Sequence, residues 1–272
     1  MLQSIGPRPR PTWVRGPARI DGEEIVLDGG SAEEYAVSDP EDGVALLLDL
    51  GNLGNLGKFV GVDKPGARMD DAIQVMDTGR ALDFVERHGL LWHGPKQVRR
   101  DEVRESLKDW FWAGLYFSFS AMMYLTLRRS LEGGTAKPAR DYLWTLRDAE
   151  FFKLIKWPDS DDELLEFVSV QLAESITRGM DTCTPTVSAA CGLLEDGKKV
   201  GGAGDFRFGN ESDTLEGAAY YQLALLVSRK ERVEECGVCG ELFVPKDPRQ
   251  MEHKTCGNRK RQRESRKRRK SG

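Results

Sequence analysis

Three observations predict a mainly helical body with a small N-terminal β-hairpin and a compact Cys/His-rich C-terminal unit. Apolar residues recur at helical spacing behind capping residues, in a chain of 272 residues that is 39% hydrophobic and 31% charged. Asp21-Gly22 stands between apolar positions near the N-terminus, the pattern of a type I′ hairpin turn. Near the other end, Cys236, Cys239, His253 and Cys256 fall in the spacing C-x2-C-x13-H-x2-C.

Taken in order, residues 1–19 hold four Arg, four Pro and no acid, and read as a flexible extended arm. The hairpin spans Arg19–Leu27. Ser38-Asp39-Pro40 with Glu41 and Asp42 opens a helix through Val44–Leu53, the acids lying at its positive end. Gly51, Gly54, Gly57 and Gly61 make a turn-rich region, and without a following GKS or GKT they are no phosphate loop. Helical spacing returns over Asp77–His88 and stops at Gly89. A long helix is expected from Asp101 to about Leu131, and another over Ala139–Ile155. Ser160–Glu163 and Asp213–Glu216 have the form of capping boxes ahead of helices over Leu164–Thr177 and Ala218–Arg229. Residues 179–212 read as loops with one short strand near Phe206–Phe208. Trp110–Leu127 is uncharged over 18 residues, which touches the length of a membrane span. Its Gly, Ser, Thr and Tyr content points instead to a buried central helix. The domains are thus an arm (1–19), a mostly helical domain (20–230) and a C-terminal unit (231–272).

Composition narrows the function classes. Five Cys in this length exclude a disulfide scaffold, and no apolar leader follows Met1, so a cytoplasmic setting is expected. In that compartment CxxC reads as metal or redox chemistry. Two close ligand pairs joined by a short loop suit a tetrahedral ion, and three thiolates with one imidazole favour Zn²⁺ over hard cations. Between Cys236 and Cys256 the large apolar residues are Val238, Leu242, Phe243, Val244 and Met251, too few to order the segment without a staple. The rival chemistries are a thioredoxin-like pair and an iron–sulfur site. Four ligands leave no open position, which fits a structural ion. Cys183 and Cys191 lack partner spacing and read as small buried hydrophobes, and His88 and His93 as surface or core histidines. With no nucleophile–base pair, HExxH or Walker motif, no enzyme is expected.

The formal charge of −4 conceals a division. Residues 246–272 carry 12 basic and three acidic side chains, a local charge of +9, which leaves −13 on the rest. A helix starting at the metal would spread Arg259, Lys260, Arg261, Arg263, Arg266, Lys267, Arg268, Arg269 and Lys270 round every face, with no apolar stripe for packing. Opposite phosphates such repulsion turns into attraction through counterion release, and Asn258, Arg259, Gln262 and Arg263 are types that read base edges. The bland alternatives are a solubilising tail or docking on an acidic partner.

The literal Cys256-Gly257-Asn258-Arg259, behind a Cys pair and ahead of Arg/Lys repeats, resembles the CGNR zinc-finger family over Glu231–Lys270. Ala81–Leu91 resembles, more distantly, the N-terminal partner domain of that family. Members are bacterial proteins with a C-terminal finger, regarded as DNA-binding, stress-related transcription regulators. The resemblance implies Cys236, Cys239 and Cys256 as ligands and a finger similar to treble clefs. His253 departs from it, because the family has Cys there. The resulting expectation is a zinc-dependent protein that binds nucleic acid, double-stranded DNA foremost, with a body that dimerises or senses a small molecule. The alternative is a helical effector or enzyme that its finger targets to RNA or an acidic protein.

Overall fold

The computed structural model describes residues 12–36, 40–53, 78–93, 102–146, 158–189, 193–195, 198–200, 206–247, 249–260 and 262. Helices dominate these residues, with short strands between them. Strand β1 (Thr12–Arg15) pairs antiparallel with β4 (Glu33–Ala36), while β2 (Ala18–Asp21), β3 (Glu24–Asp28) and β5 (Glu102–Ser106) form a sheet of order β2-β3-β5. Residues 12–15 and 18–19 of the expected arm are therefore strand, because Trp13 and Val14 bury their side chains in the core. Residues 1–11 of the expected arm lie outside the described residues. The hairpin forms where expected, with Asp21 opposite Glu24. That register puts Gly22-Glu23 in the turn, and of the two only Gly22 has positive φ, at 63°. This is the φ pattern of a type II′ turn, with Gly at the first central position, not type I′.

The helices are α1 (Pro40–Leu53), α2 (Thr78–His88), α3 (Leu107–Gly133), α4 (Lys137–Leu146), α5 (Asp161–Gly179) and α6 (Leu215–Arg229). The expected cap at Ser38 and the glycines after Gly51 lie outside the described residues, as do residues 147–157 of the helix expected to reach Ile155. The helix expected from Asp101 begins later. Residues 102–106 are instead the third strand of the sheet, and Ser106 caps α3 by accepting the Lys108 N–H at 3.2 Å. Between α5 and α6 run β6 (Cys183–Ala189), β7 (Leu193–Glu195), β8 (Lys198–Val200) and β9 (Phe206–Ser212), as two antiparallel pairs, β6 with β9 and β7 with β8. One short strand was the expectation there. At α5 the capping box is present: Ser160 Oγ accepts the Glu163 N–H and Glu163 Oε2 accepts the Asp159 N–H, both at 3.2 Å. At α6 it is not. Thr214, rather than Asp213, is the cap, and the Glu216 carboxylate turns away to the Trp92 indole N–H, 2.8 Å away.

Helix α3 is the centre of the body and packs against α1, α4, α5 and α6. Its buried residues include Trp110, Phe117, Met123 and Leu125, together with Ser118, Ser120, Thr126 and Ser130. A helix apolar all round either spans a membrane or fills a core. Here its hydroxyls serve a core: Thr126 Oγ1 donates to the Met122 carbonyl at 2.9 Å, and Ser130 Oγ accepts the Ala139 N–H at 3.2 Å. No helix among the described residues is long and apolar enough to cross a membrane.

A buried carboxylate locks the end of α2 onto this centre. Glu105, on β5, has a side chain only 1% exposed and accepts four hydrogen bonds. The Leu91 N–H and Trp110 indole reach Oε2 at 3.0 and 2.7 Å, and the Trp92 N–H and His93 Nδ1 reach Oε1 at 2.8 and 2.7 Å. The Leu91 carbonyl accepts the Leu215 N–H at 2.9 Å, so the same turn also seats α6. Buried carboxylates persist when every lone pair has a donor, and this one does.

The hydrogen bond to Glu105 raises the pKa of His93 above its usual 6.5, outweighing the opposing effect of burial. The stabilisation from this pair is therefore complete below the unfolded value and is lost as pH rises through the raised folded value. In urea titrations the advantage of the wild type over His93→Gln, a neutral donor, is expected to be full below about pH 6.5 and to shrink as pH rises through the raised folded value.

Candidate metal centre

After α6 the chain turns back onto α3, where Tyr124 Oη donates to the Glu231 carbonyl at 2.6 Å. It then forms β10 (Glu234–Glu235), which pairs antiparallel with β11 (Leu242–Phe243). The loop between these strands folds as a knuckle. The Cys236 N–H donates to the Glu241 carbonyl and the Gly240 N–H to the Cys236 carbonyl, both at 2.8 Å. Gly240 takes φ of 73°, a conformation that disfavours any side chain, and this turn brings the Glu241 N–H to the Cys239 sulfur. The second segment is laced on by the Gly237 N–H, which donates to the Met251 carbonyl at 3.2 Å. A helix over 254–260 follows, begun by the Gly257 N–H donating to the His253 carbonyl at 2.9 Å, with Cys256 in its first turn.

All four sequence-predicted ligands come together. Cys236, Cys239, His253 and Cys256 present ligand atoms within 4.8 Å of one another, and Cys239 Sγ lies 3.4 Å from His253 Nδ1. Two sulfurs on a tetrahedral ion at 2.3 Å would stand about 3.8 Å apart, so the cluster is close to metal-holding dimensions. The Phe243 ring, 4.8 Å from the imidazole, steadies His253 from behind. Burial raises the Cys236 thiol, but the N–H groups of Cys239, His253 and Val238 outweigh it and bring its pKa down to about 6. Cys239 moves the other way, up to about 12, through burial and then through hydrogen bonding to the sulfurs of Cys236 and Cys256. Sulfurs this close resist joint ionisation, and a divalent cation among them reverses that penalty. Donor set and geometry together fit a metal ion.

The knuckle strands are built into the body. Glu234 is 2% exposed and accepts from Arg128 Nη2 and Arg232 Nε, both at 2.7 Å, and from Arg129. Burial raises its carboxyl, and the three guanidinium groups outweigh this and hold it below the usual range. Asn52, at the end of α1, treats β11 as a strand would: Oδ1 accepts the Leu242 N–H at 2.8 Å and Nδ2 donates to the Leu242 carbonyl at 3.3 Å. Arg80 on α2 reaches Glu241 at 2.6 Å. Val233 and Leu242 belong to the same apolar core as α3.

Of the residues expected to touch nucleic acid, Asn258, Arg259 and Lys260 are exposed on the helix over 254–260, and Gln262 is exposed beyond it. Lys260 Nζ donates to Glu252 at 2.6 Å. Arg261, Arg263, Arg266, Lys267, Arg268, Arg269 and Lys270 lie outside the described residues. Cys183 stands apart from the metal cluster, its thiol donating to the Gly217 carbonyl at 3.3 Å, and Cys191 lies outside the described residues. His88 pairs with Asp49 at 2.7 Å, a structural role like that of His93. Sequence reasoning missed the docking residues Asn52, Arg80, Arg128, Arg129, Glu234 and Glu241. The one available signal was Arg128-Arg129 following the uncharged stretch Trp110–Leu127. Comparison with protein-family models, with curated proteins and with solved structures found no match.

Replacing Glu234 with Ala leaves three guanidinium groups without their shared acceptor. Breaking a buried pair of this kind costs about 3–5 kcal/mol, which urea denaturation of the metal-loaded protein is expected to show, with Glu234→Gln falling between the two.

Proposed function

We propose that this is a zinc-dependent DNA-binding protein of the cytoplasm, a transcription regulator whose helical body dimerises or senses a small molecule. The observation that carries the reading is the polarity of the C-terminal unit. Two of its acids, Glu234 and Glu241, point inward and are held by arginines of the body and by Arg232. Its cations Lys246, Arg249, Lys254 and Arg259 point outward and make no salt bridge among the described residues. In the sequence, an Arg/Lys run to Lys270 follows these residues. Such sorting leaves a cationic face on a chain of net charge −4, and a face of that kind takes up phosphates through counterion release.

Zinc suits the donor set best, because three thiolates and an imidazole are soft to borderline ligands and four of them close a tetrahedral shell. Cys236 and Cys239 would hold it from the knuckle, and His253 and Cys256 from the start of the helix, in the manner of a treble clef. The ion supplies rigidity, and the acidic body turns DNA away from every other face. Asn258, Arg259 and Gln262 are the exposed residues suited to base edges.

Metal analysis of the purified protein is expected to find about one zinc per chain, with uptake weakening as pH falls because protons compete for the thiolates. Cys239→Ser retaining full zinc would overturn the ligand assignment. Binding to duplex DNA is expected to fall about 10³-fold over a fourfold rise in salt if about six phosphates are engaged. Arg259→Gln and Lys254→Gln should each reduce the logarithmic salt slope by about one. Duplex binding that ignores salt, or that survives both changes together with removal of residues 261–272, would show the cationic face to be irrelevant.

A further inference from the structure

Six large apolar side chains are exposed among the described residues, and two of them, Val238 (43%) and Met251 (51%), lie on the metal unit. Val238 occupies the knuckle between Cys236 and Cys239. Met251 lies on the segment laced beside it by the bond from the Gly237 N–H to the Met251 carbonyl. Cations lie on the same stretch of chain: Arg249 and Lys254, two residues before Met251 and three after it, are exposed, while Arg232, whose Nη2 is 4.0 Å from Met251 Sδ, is held by Glu234. We propose that Val238 and Met251 form an apolar wedge that enters a base step of duplex DNA and bends it, while Arg249 and Lys254 hold the flanking phosphates. The proposal rests on the nucleic-acid reading above and adds to it the deformed state of the DNA that is preferred.

Magnitudes favour this occupant. A stable protein partner needs about 1,200 Å² of buried surface, and two side chains fall far short of that. Phosphate oxygens gain nothing from Val or Met. The faces of an opened base step are apolar, are about as large as such a pair, and lie between two phosphate strands that the cations can grip. Apolar side chains of this class do kink DNA when they unstack a step, at a cost of a few kcal/mol per step. A wedge must also be stiff. This one is clamped on one side by the metal ligands and on the other by the docking of β10 and β11 through Glu234 and Asn52.

The test uses the full-length zinc-loaded protein and a short duplex carrying a fluorescence energy-transfer pair at its ends, either fully paired or with one mismatched step. The wild type is expected to shorten the end-to-end distance of the paired duplex. It should also bind the mismatched one about tenfold more tightly, because the mismatch lowers the cost of unstacking. Val238→Ser/Met251→Ser should keep its zinc and its salt slope yet lose both the bend and the mismatch preference, and Met251→Leu should retain them. Binding without bending, or a double variant that bends like the wild type, overturns the wedge alone. The wedge is equally overturned if the double variant alters only the sedimentation of the free protein, since the pair then meets a second copy. Absence of binding to either duplex overturns the nucleic-acid reading itself.

Discussion

Helix α3 is buried over most of its length, and the rest of the molecule is arranged by the need to cover it. From Leu107 to Ser130 its buried residues fall on every side, so α1, α4, α5 and α6 must all approach it. Uncovered apolar surface costs about 25 cal/mol per Å², and few other constraints in a chain of this size are as large. The same helix carries Arg128 and Arg129 near its C-terminal end. The element that organises the core therefore also presents the charges that receive Glu234.

That continuity makes the metal unit part of the body. A small finger with five large apolar residues between its outer cysteines cannot order itself on burial alone. Part of the deficit is met by the ligand cluster and part by the body, through Leu242 in the common core, Asn52 along the edge of β11 and the arginines around Glu234. Inward docking occupies Glu234 and Glu241 and leaves Lys246, Arg249, Lys254 and Arg259 exposed. One arrangement thus serves both stability and the polarity on which the functional reading depends.

Much of the helical framework was legible because capping and periodicity are local. The box at Ser160–Glu163, the stop at Gly89 and the alternation around Asp21-Gly22 each depend on neighbours within a few residues. The strand over Glu102–Ser106 was not legible, since its partner Glu24–Asp28 lies some 80 residues away and its acidic alternation resembles a solvated helix start. Glu216 misled for the same reason. A capping box is its local optimum, but the indole of Trp92 offered a buried donor that the cap could not match.

The sequence alone determined the chemistry at the C-terminus. Residue type and spacing suffice to pick out the four Cys and His side chains that come together, because such a cluster is built from short segments, and the charge of +9 over residues 246–272 needs no fold to be counted. Only the tertiary structure decided where that chemistry points. The buried carboxylate of Glu234 takes two of its donors, Arg128 and Arg129, from 106 and 105 residues away in the chain. Once satisfied it fixes which face of the C-terminal unit meets the body and which meets solvent. Such pairings carry no local signature, since burial can prefer one acceptor over another only after the core has brought them together.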